Sequence, residues 1–145
     1  QLRYARARRL PAIFHQRDAW DDFAAIVRAE GEGIRGVVHC FTGDARQAKI
    51  IVEEFGFRLG IGGVVTFRNA EPVRRAVRAI GLGHLILETD CPYLAPTPQR
   101  GRRNEPAFMP YVAEQLAQLF ETDVDEVAAA TNRNARELFG DGPAS

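Results

Sequence analysis

Three short apolar runs in this chain lead to residues that bind cations or move protons. Ala12-Ile13-Phe14 ends in His15, the run from Ile34 reaches His39, and Leu85-Ile86-Leu87 leads into Glu88-Thr89-Asp90. A neutral imidazole is a common metal ligand. A carboxylate beside a metal can both bind it and take a proton from bound water. A mixed histidine and carboxylate set suits Mg, Mn or Zn without choosing among them. The candidate metal ligands are therefore His15, His39 and Asp90, with Asp90 also the candidate catalytic base. Along a strand, residues i and i+2 face the same way. Ile13 and His15 should share a face, as should Val37 and His39, and Glu88 and Asp90. Glu88 is then expected one layer deeper, holding a ligand from behind. A single histidine at a strand end, or one aspartate opening a turn, is more often structural; three in one series are harder to dismiss.

Arginines flank these positions. Arg17 follows His15, and Arg100, Arg102 and Arg103 follow Asp90. Arginine meets phosphate through paired hydrogen bonds, although a solvated loop would carry the same residues. Gly60-Ile61-Gly62-Gly63 offers no ligand but leaves room for substrate or for a close backbone contact. Val65 breaks a dinucleotide-binding reading of those glycines, and no Walker loop or GxSxG elbow is present. Cys40 adjoins His39 but should point to the other face, which makes the two a poor catalytic dyad.

The intervening elements position these residues. Leu2–Leu10 reads as the end of a basic helix stopped by Pro11. A helix is expected over Ala19–Ala29, ended by Gly31 and Gly33. Thr42-Gly43-Asp44 supplies cap chemistry for a helix through Phe55. Phe57–Ile61 is a further strand, and Asn69 is expected to cap a helix through Ile80. After Asp90, a proline- and arginine-rich loop covers 91–106. Helices follow over Ala107–Phe120, from a Thr122 or Asp123 cap with Glu126 placed for a capping box, and over Asn132–Phe139. The last five residues read as a frayed tail. His84, in a helix-to-strand connection, should lie at the opposite rim, and Trp20 and the phenylalanines should be core. Nearly continuous apolar strands alternating with helices predict βα units and a parallel sheet covered on both faces. In such sheets, catalytic residues gather at the carboxyl ends of the strands.

The chain has 145 residues, enough for one ordinary domain; 46% hydrophobic and 26% charged residues fit a soluble globular protein. With 19 basic and 19 acidic residues, net charge points to no partner. Lys49 is the only lysine, a bias that codon usage explains as readily as function. Cys40 and Cys91 are too few for a disulfide scaffold and read as reduced thiols of a cytoplasmic protein. No run approaches a membrane span. The chain starts at Gln1 and its only methionine is Met109, so a preceding segment is expected.

Five stretches together resemble one family. Leu10-Pro11-Ala12-Ile13-Phe14-His15-Gln16-Arg17-Asp18-Ala19, Gly36-Val37-Val38-His39-Cys40-Phe41-Thr42-Gly43 and Leu87-Glu88-Thr89-Asp90-Cys91-Pro92-Tyr93-Leu94-Ala95-Pro96 match its motifs in order. Arg102-Arg103-Asn104-Glu105-Pro106 and the segment from Thr131-Asn132 to Leu138-Phe139 complete the pattern. The chain resembles TatD-type deoxyribonucleases from about Leu10 to Gly140. The resemblance implies an α/β fold, the C-terminal half of a TIM-type (β/α)8 barrel, with residues 1–145 supplying its fifth to eighth strands. It implies one to three divalent metals and hydrolysis of DNA phosphodiesters from a 3′ end, with RNA or aminoacyl-tRNA esters as alternative substrates. His15, His39 and Asp90 match the family's metal ligands, and Glu88 its preceding acid. The family's HxH pair and bridging glutamate have no counterpart here. A second reading is therefore a non-catalytic half barrel that assembles with a partner chain or with itself. On either reading, the isolated polypeptide should show little nuclease activity.

Overall fold

The computed structural model describes residues 1–140. Its sheet has four strands, β1 (Ala12–His15), β2 (Gly36–His39), β3 (Arg58–Ile61) and β4 (Leu85–Leu87), in the order β1-β2-β3-β4. All three pairings are parallel. Parallel neighbours need a crossover between them. Here α2 (Trp20–Glu30) joins β1 to β2, α3 (Ala45–Lys49) joins β2 to β3, and α4 (Glu71–Ile80) joins β3 to β4. A short helix, α1 (Leu2–Arg8), precedes the sheet, and α5 (Met109–Phe120) and α6 (Val124–Phe139) follow it.

The two faces of the sheet differ. Phe14, Val38, Leu59, Ile61 and Leu85 pack with Phe57, Ile51, Val77 and Leu116 in the main core. On the other face, Val37 and Ile86 pack with Leu138 and Ala135 of α6, and Ile13 is 66% exposed. This second face carries the histidines. Buried Asn134 of α6 donates from Nδ2 to the Leu82 and Leu85 carbonyls, both at 2.8 Å, which ties the last helix to the start of β4. The Glu137 carboxylate accepts from Arg58 at 2.7 Å, so the end of α6 closes the amino-terminal rim of the sheet.

Several local expectations need correction. Asn69 does not cap α4; its N-cap is Ala70, which makes no side-chain cap bond. Arg74 instead laces the preceding turn, donating to the Val65 and Phe67 carbonyls. Asp44 does cap α3 in a reciprocal capping box with Gln47, but the helix continues as a π-helical segment, Ile50–Glu54. A 3₁₀ turn, Pro106–Phe108, precedes α5. The two expected terminal helices are one: Asp123 caps α6 by accepting from the Glu126 N–H at 2.7 Å. Nothing between 124 and 139 breaks it, because no glycine or proline intervenes and Thr131 bonds its hydroxyl back to the Val127 carbonyl. Trp20 is only half-buried, against Phe23, and Phe139 is exposed. The expected terminal tail lies outside the described residues. Among the described residues, no helix is long and apolar enough to cross a membrane.

His84 sits at the start of β4, the opposite rim from His15 and His39. Burial, then the Arg58 charge, push it below its ordinary value of 6.5. The unfolded chain therefore binds this proton more tightly than the folded one. The His84 contribution is thus lost as pH falls through 6.5 and below. Between about pH 7.5 and about 5.5, the urea midpoint of wild type should fall further than that of His84→Gln. Parallel falls would show that His84 is not the source.

Candidate active site

The site begins with strand register. β1 and β2 pair so that His15 stands directly beside His39, with ring centroids 5.7 Å apart. Val38 pairs with Leu59, which puts Gly60 next to His39, and Gly60 pairs with Ile86. The row across the carboxyl end of the sheet is therefore His15, His39, Gly60, Ile86. Gly60 is where the row lacks a side chain, and Glu88 fills the gap. A Cβ at position 60 would collide with the Glu88 carboxylate. At Gly60 neither room for substrate nor a close backbone contact is found, because a side-chain carboxylate occupies the space; the close backbone contact lies at Gly63, where a Cβ would meet the Leu94 carbonyl.

Glu88 continues the β4 pairing by donating its N–H to the Ile61 carbonyl at 3.1 Å. Its Oε2 meets His39 Nδ1 at 2.9 Å, and its Oε1 accepts from the Cys40 N–H at 2.6 Å. Burial pushes the Glu88 carboxyl above its ordinary value, while the His39 and Cys40 bonds pull the other way. Asp90 reaches the same histidine from the other side, with Oδ1 3.3 Å from Nε2. It does so outside the strand, from a left-handed backbone at φ 54°.

A loop holds Asp90 in place. The Tyr93 N–H donates to the Asp90 carbonyl at 2.9 Å and the Asn104 N–H to the Pro92 carbonyl at 3.0 Å. Asn104, 2% exposed, donates from Nδ2 to the carbonyls of Thr89 and Tyr93 and accepts from the Glu105 N–H. The same loop contains cis peptide bonds at Cys91–Pro92 and Thr97–Pro98. Sequence reasoning did not single out Asn104. An amide between charged residues in a loop carries no mark of burial, and only its two donors and one acceptor suit it to three backbone partners.

The arginines divide between two places. Arg17 lines a polar cleft of about 800 Å³ formed by the segments after β1 and β2, with Gln16, Trp20, Asp21, Thr42 and Gln47. Arg100 lies over the Phe67 ring, 3.8 Å from its centroid, and Arg102 and Arg103 are exposed. The Cys40 thiol is pushed up to about 11 by burial, then by the charges of Glu88 and Asp90. It is therefore no thiolate nucleophile near neutral pH. Among the described residues, no group of three or more His, Cys, Asp or Glu side chains gathers closely enough to hold a metal ion. His39 and its two carboxylates are the tightest part of the constellation.

The sequence profile of the TatD related DNase family matches residues 1–140. The chain belongs to that family. Among curated proteins, it is 45% identical to the uncharacterized metal-dependent hydrolase YabD of Bacillus subtilis, over 96% of this chain and 54% of that protein. It is 39% identical to the 3′-5′ ssDNA/RNA exonuclease TatD of Erwinia amylovora, over 97% of this chain and 56% of that protein. Among solved structures, YjjV, a TatD homolog from Escherichia coli, superposes with a TM-score of 0.88 at 31% identity, covering 97% of this chain and 54% of the other. The chain thus spans about half the length of the curated relatives it matches. The four parallel strands and their helices are the expected C-terminal half of a TIM-type barrel.

Proposed function

We propose that this chain supplies one half of a metal-dependent phosphodiesterase centre, in which His39 and Asp90 bind a divalent cation beside His15. Its four strands serve as the fifth to eighth of the barrel. The observation that carries this is the setting of His39. Glu88 accepts a bond from Nδ1, which leaves Nε2 as the lone-pair nitrogen of the neutral ring. That lone pair faces Asp90 Oδ1 across 3.3 Å. A positive charge between two atoms so placed, the proton of an imidazolium or a cation that displaces it, reconciles them. Donors held at about 2.1 Å from one cation stand about 3.0 Å apart in octahedral and about 3.4 Å apart in tetrahedral geometry. The observed separation falls between these, so the pair fits a shared Mg, Mn or Zn ion. Further ligands are required beyond those the described residues gather.

When bound, the ion would acidify a water and offset phosphate charge. The chain's own residues do the rest. Asp90, with its side chain 31% exposed, is open to solvent and accepts the proton of an attacking water. Glu88 fixes the His39 tautomer and ring orientation, the usual part of a carboxylate behind a metal-bound histidine. The arginines at 100, 102 and 103 meet substrate phosphates, and Arg17 faces the substrate's terminal residue alone. The names of relatives such as the Erwinia exonuclease support single-stranded DNA or RNA, cut from the 3′ end, as the substrate.

The test is Mn titration of the chain by calorimetry. Asp90→Asn and His39→Ala should each weaken binding at least tenfold, and Glu88→Gln by about 10- to 100-fold. Mn affinity unchanged in both His39→Ala and Asp90→Asn would end the proposal. The 145-residue chain alone should turn over little single-stranded DNA, and robust metal-dependent cleavage by it would overturn that expectation.

A further inference from the structure

We infer that single-stranded nucleic acid lies across the loop that follows β4, with one base stacked on Tyr93 and its phosphates met by Arg102 and Arg103, and that it turns away from the cleft beyond β1. The inference rests on the phosphodiesterase reading above and adds where the strand runs. Tyr93 is 70% exposed, more than any other large hydrophobic side chain described. It is not exposed by looseness. Its N–H is bonded to the Asp90 carbonyl and its carbonyl to Asn104 Nδ2. A ring held open to solvent on a pinned backbone, three residues from Asp90, takes no part in the core of the described residues.

The Asn104 bonds also fold the loop back on itself, because the Asn104 N–H meets the Pro92 carbonyl. The backbone that carries Arg102 and Arg103 is thereby tied to the backbone of Pro92 and Tyr93 through its next residue, Asn104, and both arginines are exposed. Arg100, spread over Phe67, extends the basic strip toward the β3 side. An exposed aromatic among arginines is the usual platform for unpaired bases, whose faces stack while the backbone tracks positive charge. Duplex DNA offers no free base face, so the platform selects single strands.

The opposite side of the rim carries the reverse charge. The cleft past β1 is lined by Asp18, Asp21 and Asp22 against a single arginine, Arg17. A polyanion continuing there would meet net negative charge. The strand therefore enters over the β4 loop, and only its terminal residue reaches toward the acidic cleft.

Fluorescence anisotropy of the 145-residue chain with a labelled oligothymidylate tests this without turnover. Tyr93→Leu should weaken binding about 5- to 150-fold, the worth of one stacked base, while Tyr93→Phe should stay within about twofold because the ring face survives. Arg102→Gln with Arg103→Gln should reduce the salt slope by about 1.4, at about 0.7 per phosphate for single strands. Asp21→Asn with Asp22→Asn should leave affinity equal or higher. Absence of binding by wild type, full binding by Tyr93→Leu, or an unchanged salt slope in the arginine pair overturns the inference. Mn binding that survives His39→Ala and Asp90→Asn, together with oligothymidylate binding that depends on Tyr93, would remove the catalytic reading and leave the docking surface standing.

Discussion

Replacing Asn104 by alanine should destabilise the chain by about 2–4 kcal/mol, because three part-buried hydrogen bonds are lost at about 0.5–1.5 kcal/mol each. Three groups lose a partner: the carbonyls of Thr89 and Tyr93, and the Glu105 N–H. Water cannot readily replace the amide at a position 2% exposed. Asn104→Asp should rescue little, since a carboxylate keeps the acceptor for Glu105 but turns an oxygen toward two carbonyls. Urea unfolding followed by circular dichroism measures the loss. Hydrogen exchange localises it, with the amides of Tyr93 and Asn104 exchanging faster while those of α5 stay protected. A loss under about 1 kcal/mol would mean that solvent or a shifted side chain satisfies the carbonyls after all. The consequence for the site is indirect but large, since the Asp90 turn closes on Tyr93 and Tyr93 is held by Asn104.

What could be read in the chain beforehand follows a physical divide. Periodic features were legible. The four apolar runs are four parallel strands, and alternation along β1 and β2 correctly sets His15 and His39 on one face, as their register shows. The same rule does not account for Asp90. β4 ends at Leu87, and Asp90 reaches His39 from a left-handed turn that no alternation predicts. Glu88 was expected behind a ligand, and it touches His39 Nδ1, but the route is through the space at Gly60, a tertiary fact. Helix ends divided likewise. Asp44 and Asp123 act as caps because their partners lie three residues on in sequence. Asn69 does not cap because α4 starts a residue later, with Ala70 at the N-cap position, and the turn before it is held by Arg74, whose long side chain donates back to carbonyls seven and nine residues earlier. Asn104 was invisible because its burial depends on how a loop without secondary structure folds over β4.

Gly60→Ala should cost about 3–5 kcal/mol, inside the roughly 2.5–6 kcal/mol spanned by about 1–3 for overpacking plus about 1.5–3 for a displaced bond to a charged group. Backbone conformation is not the obstacle, since Gly60 does not lie in the left-handed region. The obstacle is steric. A new Cβ meets the Glu88 carboxylate first, and the His39 Cα stands 3.3 Å away. Glu88 is the end of a flexible side chain and must yield, giving up His39 Nδ1 and the Cys40 N–H together. His39 is then free to rotate, and Mn affinity should fall about 10- to 100-fold, as it does when the partner behind a liganding histidine is lost. A double-mutant cycle isolates the cause. In a Glu88→Ala background the carboxylate is gone, so Gly60→Ala should cost only about 1 kcal/mol, for the tight approach to His39 Cα. The coupling of about 2 kcal/mol or more is what two groups in direct contact show. If Gly60→Ala costs the same in both backgrounds, position 60 does not act through Glu88, and the space in the row serves some other group.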